Sequence, residues 1–133
     1  MDRHKSRYKI MTILYQVFLY RKNKINISLE DIINEQLEEQ NEYIENSVKG
    51  IIDNEEVLEE KANKYLNNWT LDRLGYTDQA IIKLAIYEML YTDTGDKICI
   101  NEAIELAKQY SDENVVKMIN GVLDKVYKEK NEK

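Results

Sequence analysis

The first residues of the chain concentrate positive charge in the manner of a polyanion-binding surface. Residues 1–24 carry seven Lys and Arg side chains and one acid, a net charge of +6. Residues 25–62 carry a net charge of −10 and residues 63–133 of −2, within a chain total of −6. Since Lys and Arg attract phosphates, this asymmetry favours one surface that meets a polyanion. A solvated helix start explains the same pattern equally well, so charge alone leaves both interpretations open.

Few side chains of the sequence are suited to catalysis or to metal binding. The single histidine, His4, stands near the N-terminus, and Cys99 is the single cysteine. The sequence therefore offers no histidine-based acid–base pair and no cysteine-rich metal site. The four glycines are scattered and form no phosphate-binding loop. We predict a protein without catalytic residues, metal or cofactor.

The sequence also lacks the signals of secretion and of membrane insertion. No apolar run approaches the ~18–20 residues of a membrane span. The basic start is not followed by the apolar core of a signal peptide. A single cysteine excludes an internal disulfide and is typical of a reducing compartment. We predict a cytoplasmic protein that does not contact membranes.

Apolar side chains recur every three to four residues along the whole chain, a period that indicates α-helices. The basic residues are therefore expected to lie on helices. The chain has no proline and only four glycines, which are the usual residues of turns. The first helix is predicted over residues 3–22 and a C-terminal bundle over about 69–127. The sequence predicts an all-α fold of about seven helices in two packed bundles, with residues 1–133 forming a single domain.

Short polar side chains mark where several helices are expected to begin. Ser28 with Asp31 three residues later resembles a capping box, in which a hydroxyl accepts from a backbone N–H of the first turn. The predicted N-caps are Ser28, Asn54, Asn101 and either Ser111 or Asp112.

Gly121 lies inside the predicted last helix, where glycine costs about 1 kcal/mol relative to alanine. We expect another helix to pack closely against it, and its neighbour Asn120 to be a buried polar group. On this expectation, a leucine at position 121 destabilises the C-terminal bundle by roughly 1–3 kcal/mol through overpacking.

Several segments of the sequence resemble sequence motifs of a known family. Residues 100–110 read INEAIELAKQY and residues 118–126 read MINGVLDKV, which resemble the C-terminal signature of the transcription antitermination factor NusB family. The stretches LDRLGYTDQAIIKLAIYEML (71–90) and SRYKIMTILYQ (6–16) resemble that family's preceding helix and its first helix. Residues 25–65 are similar only in being helical and acidic.

The resemblance implies an all-α NusB-like fold and a function without catalysis. It implies binding of the boxA RNA element of ribosomal RNA leaders together with NusE, the ribosomal protein that doubles as an antitermination factor. The pair would join the RNA polymerase antitermination complex, which reads through terminators. Some members of the family self-associate, so this chain could be a monomer or a homodimer. The alternative function is a non-catalytic protein-binding adaptor, or a self-associating helical domain, without direct RNA binding.

The resemblance also implies which residues of this chain meet RNA. The implied residues are Arg3, His4, Lys5, Arg7, Tyr15, Asn114 and Lys117. Tyr15 either stacks on an unpaired base or packs against the bundle. Arg7 precedes the apolar stripe that begins at Ile10, so we expect it on the polar surface, where its loss would weaken RNA binding and leave the fold intact. The acidic residues 25–62 are expected on the far side of the molecule, since they would repel phosphates.

Overall fold

The structure, a computed structural model, describes residues 1–132. Seven α-helices and one 3₁₀ turn contain most of these residues, and no strand occurs among them. The helices are α1 (Arg3–Lys22), α2 (Leu29–Gln36), α3 (Glu42–Asp53), α4 (Glu55–Tyr65), α5 (Tyr76–Tyr91), α6 (Asp96–Tyr110) and α7 (Glu113–Asn131), with the 3₁₀ turn at Leu71–Arg73. The all-α prediction of about seven helices is confirmed.

Helix α5 lies at the centre of the fold because most of its side chains are apolar and it is buried on nearly every side. Residues 79–86 of this helix are all buried, as expected of a helix surrounded by others. It contacts α1, α3, α4, α6 and α7. Helix α1 also packs with α2 and α3, while α7 packs with α4 and α6. The two predicted bundles therefore share α5.

The buried apolar side chains form one connected cluster that fixes α1 against α5. Ile10 and Leu14 of α1 and Ile86 of α5 are fully buried, and each such side chain contributes roughly 1.5–3 kcal/mol. The two helices run antiparallel, so the basic start of α1 lies near the C-terminal end of α5. No helix of the described residues is long and apolar enough to cross a membrane.

Two of the predicted N-caps are confirmed by the hydrogen bonds at helix starts. The Ser28 hydroxyl accepts from the backbone N–H of Asp31 at 3.1 Å. Before α7, the carboxylate of Asp112, and not the Ser111 hydroxyl, accepts from the backbone N–H of Val115 at 3.0 Å. Both caps act within three residues, which is why local sequence predicts them.

Of the other two predicted caps, Asn54 has the predicted position without a capping hydrogen bond, and Asn101 was wrong. Asn54 does precede α4, but its side-chain amide donates to the Gly50 carbonyl at the end of α3, at 2.7 Å. Asn101 lies inside α6, which begins at Asp96. Helix α6 extends further toward the N-terminus because Cys99 belongs to its buried side.

Gly121 is exposed in α7, and the helix contact expected there is absent. Within the part of the chain that the structure describes, a Cβ at this position would meet no neighbouring atom within 4 Å. Asn120 is exposed as well. Both expectations were wrong because the buried side of α7 runs through Ile119 and Val122. Residues 120 and 121 therefore face solvent.

Gly121→Ala is expected to raise the free energy of unfolding by about 0.5–1 kcal/mol, because alanine favours the helix and has room. Thermal denaturation followed by circular dichroism should show a Tm rise of about 2–4 °C. Gly50→Ala is the matched control, since its Cβ would overlap the Tyr87 side chain and the same gain should not appear. A lower Tm for Gly121→Ala would contradict the exposed placement.

Candidate nucleic-acid interface

The start of α1 presents an ordered turn of polar residues. The Asp2 carboxylate accepts from the backbone N–H of Lys5 at 2.8 Å and caps the helix. Because this cap satisfies a free N–H group, the first turn is held in helical geometry. Arg3, His4 and Lys5 are all exposed on it.

Arg7 does not lie on this surface, because its side chain turns into the core, where the residue is only 4% exposed. Its Nε donates to Glu88 Oε1 at 2.7 Å, and its Nη2 donates to Glu88 Oε2 at 3.1 Å. A further oxygen, on Glu102, lies 3.6 Å from Nη1. The expectation of an exposed Arg7 was wrong because α5 supplies a buried carboxylate. A guanidinium bound in this bidentate manner has no free face for a phosphate.

Glu88 connects three helices through its two oxygens. Besides Arg7, the hydroxyl of Tyr43 on α3 donates to Glu88 at 2.9 Å. Burial and the charge of Glu88 raise the pKa of Tyr43 far above its usual range, so this hydroxyl stays a donor. Burial alone would lower the pKa of Arg7, but the hydrogen bonds and charge of Glu88 raise it. The guanidinium of Arg3 stacks 3.8 Å above the Tyr43 ring and extends the network to the surface.

His4 and Lys5, two of the predicted RNA-binding residues, differ in how accessible their side chains are to a ligand. His4 Nδ1 lies 3.0 Å from a carboxylate oxygen of Glu102, so this acid competes with a phosphate for His4. Lys5 is exposed, and it takes part in no ion pair within residues 1–132. Lys5 is therefore the basic residue of this turn most open to a phosphate.

Tyr15 both packs and remains accessible. Its ring meets the ring of Tyr76 edge-on at 5.9 Å between centroids, and 40% of the residue stays exposed. The edge contact leaves ring surface for a further partner. The two alternatives for Tyr15 are therefore compatible with each other.

Asn114 and Lys117 are exposed on the first turns of α7. They are three residues apart, so they share one face of the helix. The Ser111 hydroxyl, just before α7, is hydrogen-bonded to the Asp78 carboxylate. This contact ties the start of α7 to the first turn of α5.

A pair of tyrosines, which sequence reasoning missed, joins α1 to the end of α6, just before α7 begins. Tyr8 of α1 contacts Tyr110, the last residue of α6, with ring centroids 5.4 Å apart. Tyr8 is two helical turns before Tyr15, so both rings lie on the same side of α1. That seven-residue spacing was the one signal in the sequence that pointed to Tyr8.

Part of the acidic segment lies close to the N-terminus. Glu38 and Glu39, between α2 and α3, line a cleft of about 460 Å³ together with Met1 and Lys9. The expectation that residues 25–62 lie entirely on the far side was therefore wrong. These acids weaken the positive field around Lys9, so we do not assign Lys9 to the interface.

The described part of the chain contains no cluster of three or more side chains suited to holding a metal ion. Cys99 is buried, and burial together with the charge of Glu88 raises the pKa of its thiol to about 12. A thiol that stays protonated at neutral pH is a poor nucleophile and a poor metal ligand. Cys99 therefore belongs to the core.

Comparison with known proteins decides the family. The sequence model of the NusB family matches residues 4–128. The chain belongs to the NusB family. A transcription antitermination protein NusB of Campylobacter jejuni (strain RM1221) is 40% identical over 130 residues, covering 96% of this chain and 97% of the relative. A NusB protein of Staphylococcus aureus (strain JH9) is 39% identical over 129 residues, covering 96% of this chain and 100% of the relative.

Solved NusB structures have the same fold. A structure of T. maritima NusB superposes with a TM-score of 0.85 at 32% identity, covering 97% of this chain and 92% of that chain. A complex of the antitermination factors NusB and NusE with dsRNA superposes with a TM-score of 0.74 at 24% identity, covering 97% of this chain and 99% of that chain. This second likeness supports the fold alone.

Proposed function

We propose that this chain is a transcription antitermination factor that binds the boxA element of ribosomal RNA leaders together with NusE. The observation that carries the proposal is membership of the NusB family along nearly the whole chain. The pair acts within the RNA polymerase antitermination complex, and the chain acts as a single domain in the cytoplasm, where such transcripts are made. The protein supplies binding surfaces and performs no catalysis.

The proposed RNA interface consists of the exposed side of α1 and the start of α7. Its residues are Arg3, His4, Lys5, Tyr15, Asn114 and Lys117. Exposed lysines neutralise phosphates, and an accessible tyrosine ring stacks on an unpaired base. Asn114 places a neutral amide where an acid would repel RNA. Arg7 is a positioning residue, because it holds α1 on α5 through Glu88.

A protein-binding adaptor without direct RNA contact is the second candidate. The observation that favours it is that two of the predicted RNA-binding side chains are engaged within the protein, Arg7 by Glu88 and His4 by Glu102. Ionic strength separates the two functions. Binding through phosphates weakens steeply with salt, whereas an adaptor shows no RNA affinity to weaken.

Lys5→Ala is expected to weaken RNA binding and to reduce the magnitude of the log–log salt slope by about 0.7, the value for one phosphate of a single strand. The fold should be unaffected, because the Lys5 side chain is exposed. Fluorescence anisotropy with labelled single-stranded boxA RNA, in the presence of NusE and at several salt concentrations, measures both quantities.

Lys125→Ala is the matched control for this experiment, since Lys125 is an exposed lysine in the second half of α7. Its salt slope should equal that of the unmodified protein. An unchanged slope for Lys5→Ala would remove Lys5 from the interface. Absence of RNA binding by the unmodified protein would leave the adaptor as the better description.

A further inference from the structure

We infer that Tyr8 and Tyr110 form a platform on which an unpaired RNA base stacks. The inference rests on the proposed function, because an unpaired nucleotide is the ligand. The two rings come from different helices, and their planes are inclined by 31° at a centroid distance of 5.4 Å. Tyr8 is 39% exposed and Tyr110 is 48% exposed. Aromatic surface from both rings thus remains open to solvent.

The helices hold these two rings in place without burying them in the core. Helix α1 is anchored by its buried side, and α6 by the buried Leu106 and Ala107 just before Tyr110. Neither tyrosine belongs to the buried cluster or to the partly buried side chains packed on it. A tyrosine whose backbone is already ordered loses little conformational entropy when it binds. The pair is therefore preorganised for a flat ligand.

The platform fits between the two parts of the proposed interface. Lys5 lies one helical turn before Tyr8, and Asn114 follows Tyr110 by four residues. Tyr15 lies on the same side of α1, about 10 Å further along the helix axis. That distance corresponds to roughly three stacked nucleotides at 3.4 Å each. One RNA strand along α1 would thus place a phosphate at Lys5 and bases at Tyr8 and Tyr15.

The arginine next to Tyr8 in the sequence is not available to a phosphate at this level of α1. Arg7, the neighbour of Tyr8, is buried in its ion pair with Glu88. Glu102 of α6 is paired with His4 and lies 3.6 Å from Arg7. The exposed surface of the pair is aromatic, and an aromatic face stacks on an uncharged base ring. Stacking is thus the contact that these side chains support.

The test replaces each tyrosine by leucine and by phenylalanine. Leucine retains apolar packing but has no aromatic face, so Tyr8→Leu and Tyr110→Leu should each lower the affinity for single-stranded boxA RNA about fivefold to a hundredfold. Tyr8→Phe and Tyr110→Phe should stay within about twofold, since the stacking face is kept. The salt slope should be unchanged in all four variants, because no phosphate contact is lost. Affinities are measured in the presence of NusE.

Tyr91→Leu is the matched control. Tyr91 is 46% exposed and stacks on Tyr87 at 5.6 Å, so it reproduces the chemistry of the platform in a pair that lies on α5 alone. Its variant should bind RNA as the unmodified protein does. A fully paired duplex of the same sequence should bind the leucine and phenylalanine variants equally well, since it offers no unpaired base.

The outcomes separate this inference from the proposed function. In one outcome, Tyr8→Leu and Tyr110→Leu bind RNA with the affinity of the unmodified protein while Lys5→Ala reduces the salt slope. That result would overturn the platform and leave the proposed RNA binding intact. Loss of NusE binding in place of RNA binding would assign the tyrosines to the protein interface and overturn it too. No RNA binding by the unmodified protein would overturn both proposals.

Photocrosslinking provides a readout that does not depend on the variants folding. Single-stranded RNA that carries 5-bromouridine is irradiated with the unmodified protein and NusE, and the adducts are mapped by mass spectrometry. Adducts on Tyr8 or Tyr110 are expected. Adducts confined to other residues would overturn the platform.

Discussion

Arg7→Ala should lower the free energy of unfolding by about 3–5 kcal/mol, because it leaves a buried carboxylate without its charged partner. Glu88 is 1% exposed, and its carboxylate would keep the hydrogen bond from the Tyr43 hydroxyl as its one remaining bond among the described residues. Domains of this size have a total stability of about 5–15 kcal/mol. Urea denaturation followed by circular dichroism should therefore show that the variant has lost a large part of its stability.

A double variant tests whether the loss comes from the unpaired charge. Arg7→Met combined with Glu88→Met removes both charges and retains apolar volume, a change that is often neutral for a buried pair. We expect the double variant to recover part of the lost stability, because both charges are gone but the Tyr43 hydroxyl loses its acceptor. An unfolding free energy of Arg7→Ala within about 1 kcal/mol of the unmodified protein would show that Arg7 is not buried in an ion pair. If the variant is destabilised as expected, weaker RNA binding by Arg7→Ala would reflect the loss of folded protein and not the loss of a phosphate contact.

RNA and NusE should bind this chain with positive coupling of about 1–3 kcal/mol, which is roughly five- to 150-fold in affinity. The proposed interface of the chain alone offers few open cations: Arg3, Lys5 and Lys117. Three neutralised phosphates give a salt slope of only about −2, at about 0.7 per phosphate of a single strand. A basic partner docked beside the interface adds phosphate contacts and tethers both surfaces to one RNA.

Calorimetric titration of RNA into the protein alone and into its preformed pair with NusE measures this coupling. By reciprocity, RNA should strengthen NusE binding by the same factor. Lys5→Ala serves as the control, because it should weaken RNA binding in both titrations and leave their ratio unchanged. Equal affinities in the two titrations would mean that NusE does not complete the interface, which would favour the adaptor function.

Local features of this protein were predictable from the sequence because they depend on residues close in the chain. The bounds of α1, residues 3–22, agree with the structure. The caps at Ser28 and Asp112 act within three residues. The family, too, was recognisable from contiguous phrases, and its model matches residues 4–128. Helical period, capping and family signature are all properties of short stretches.

The placement of the site residues depended on contacts between distant parts of the chain. Arg7 is buried because Glu88, 81 residues away, faces it across the α1–α5 contact. Gly121 is exposed because no helix among residues 1–132 passes over that side of α7. Tyr8 and Tyr110 meet because α1 and α6 lie side by side.

The physical reason for this division is that helical period determines which residues share a face, whereas tertiary packing decides what that face meets. A basic residue at the start of α1 has the same local pattern whether it points to solvent or to a buried carboxylate. The loss of that residue costs several kcal/mol more folding stability in the second case, because the buried carboxylate is left without its charged partner. Family and fold therefore followed from the sequence of this protein, and the division of its basic residues into structural and exposed ones followed only from the packing of α1 against α5 and α6.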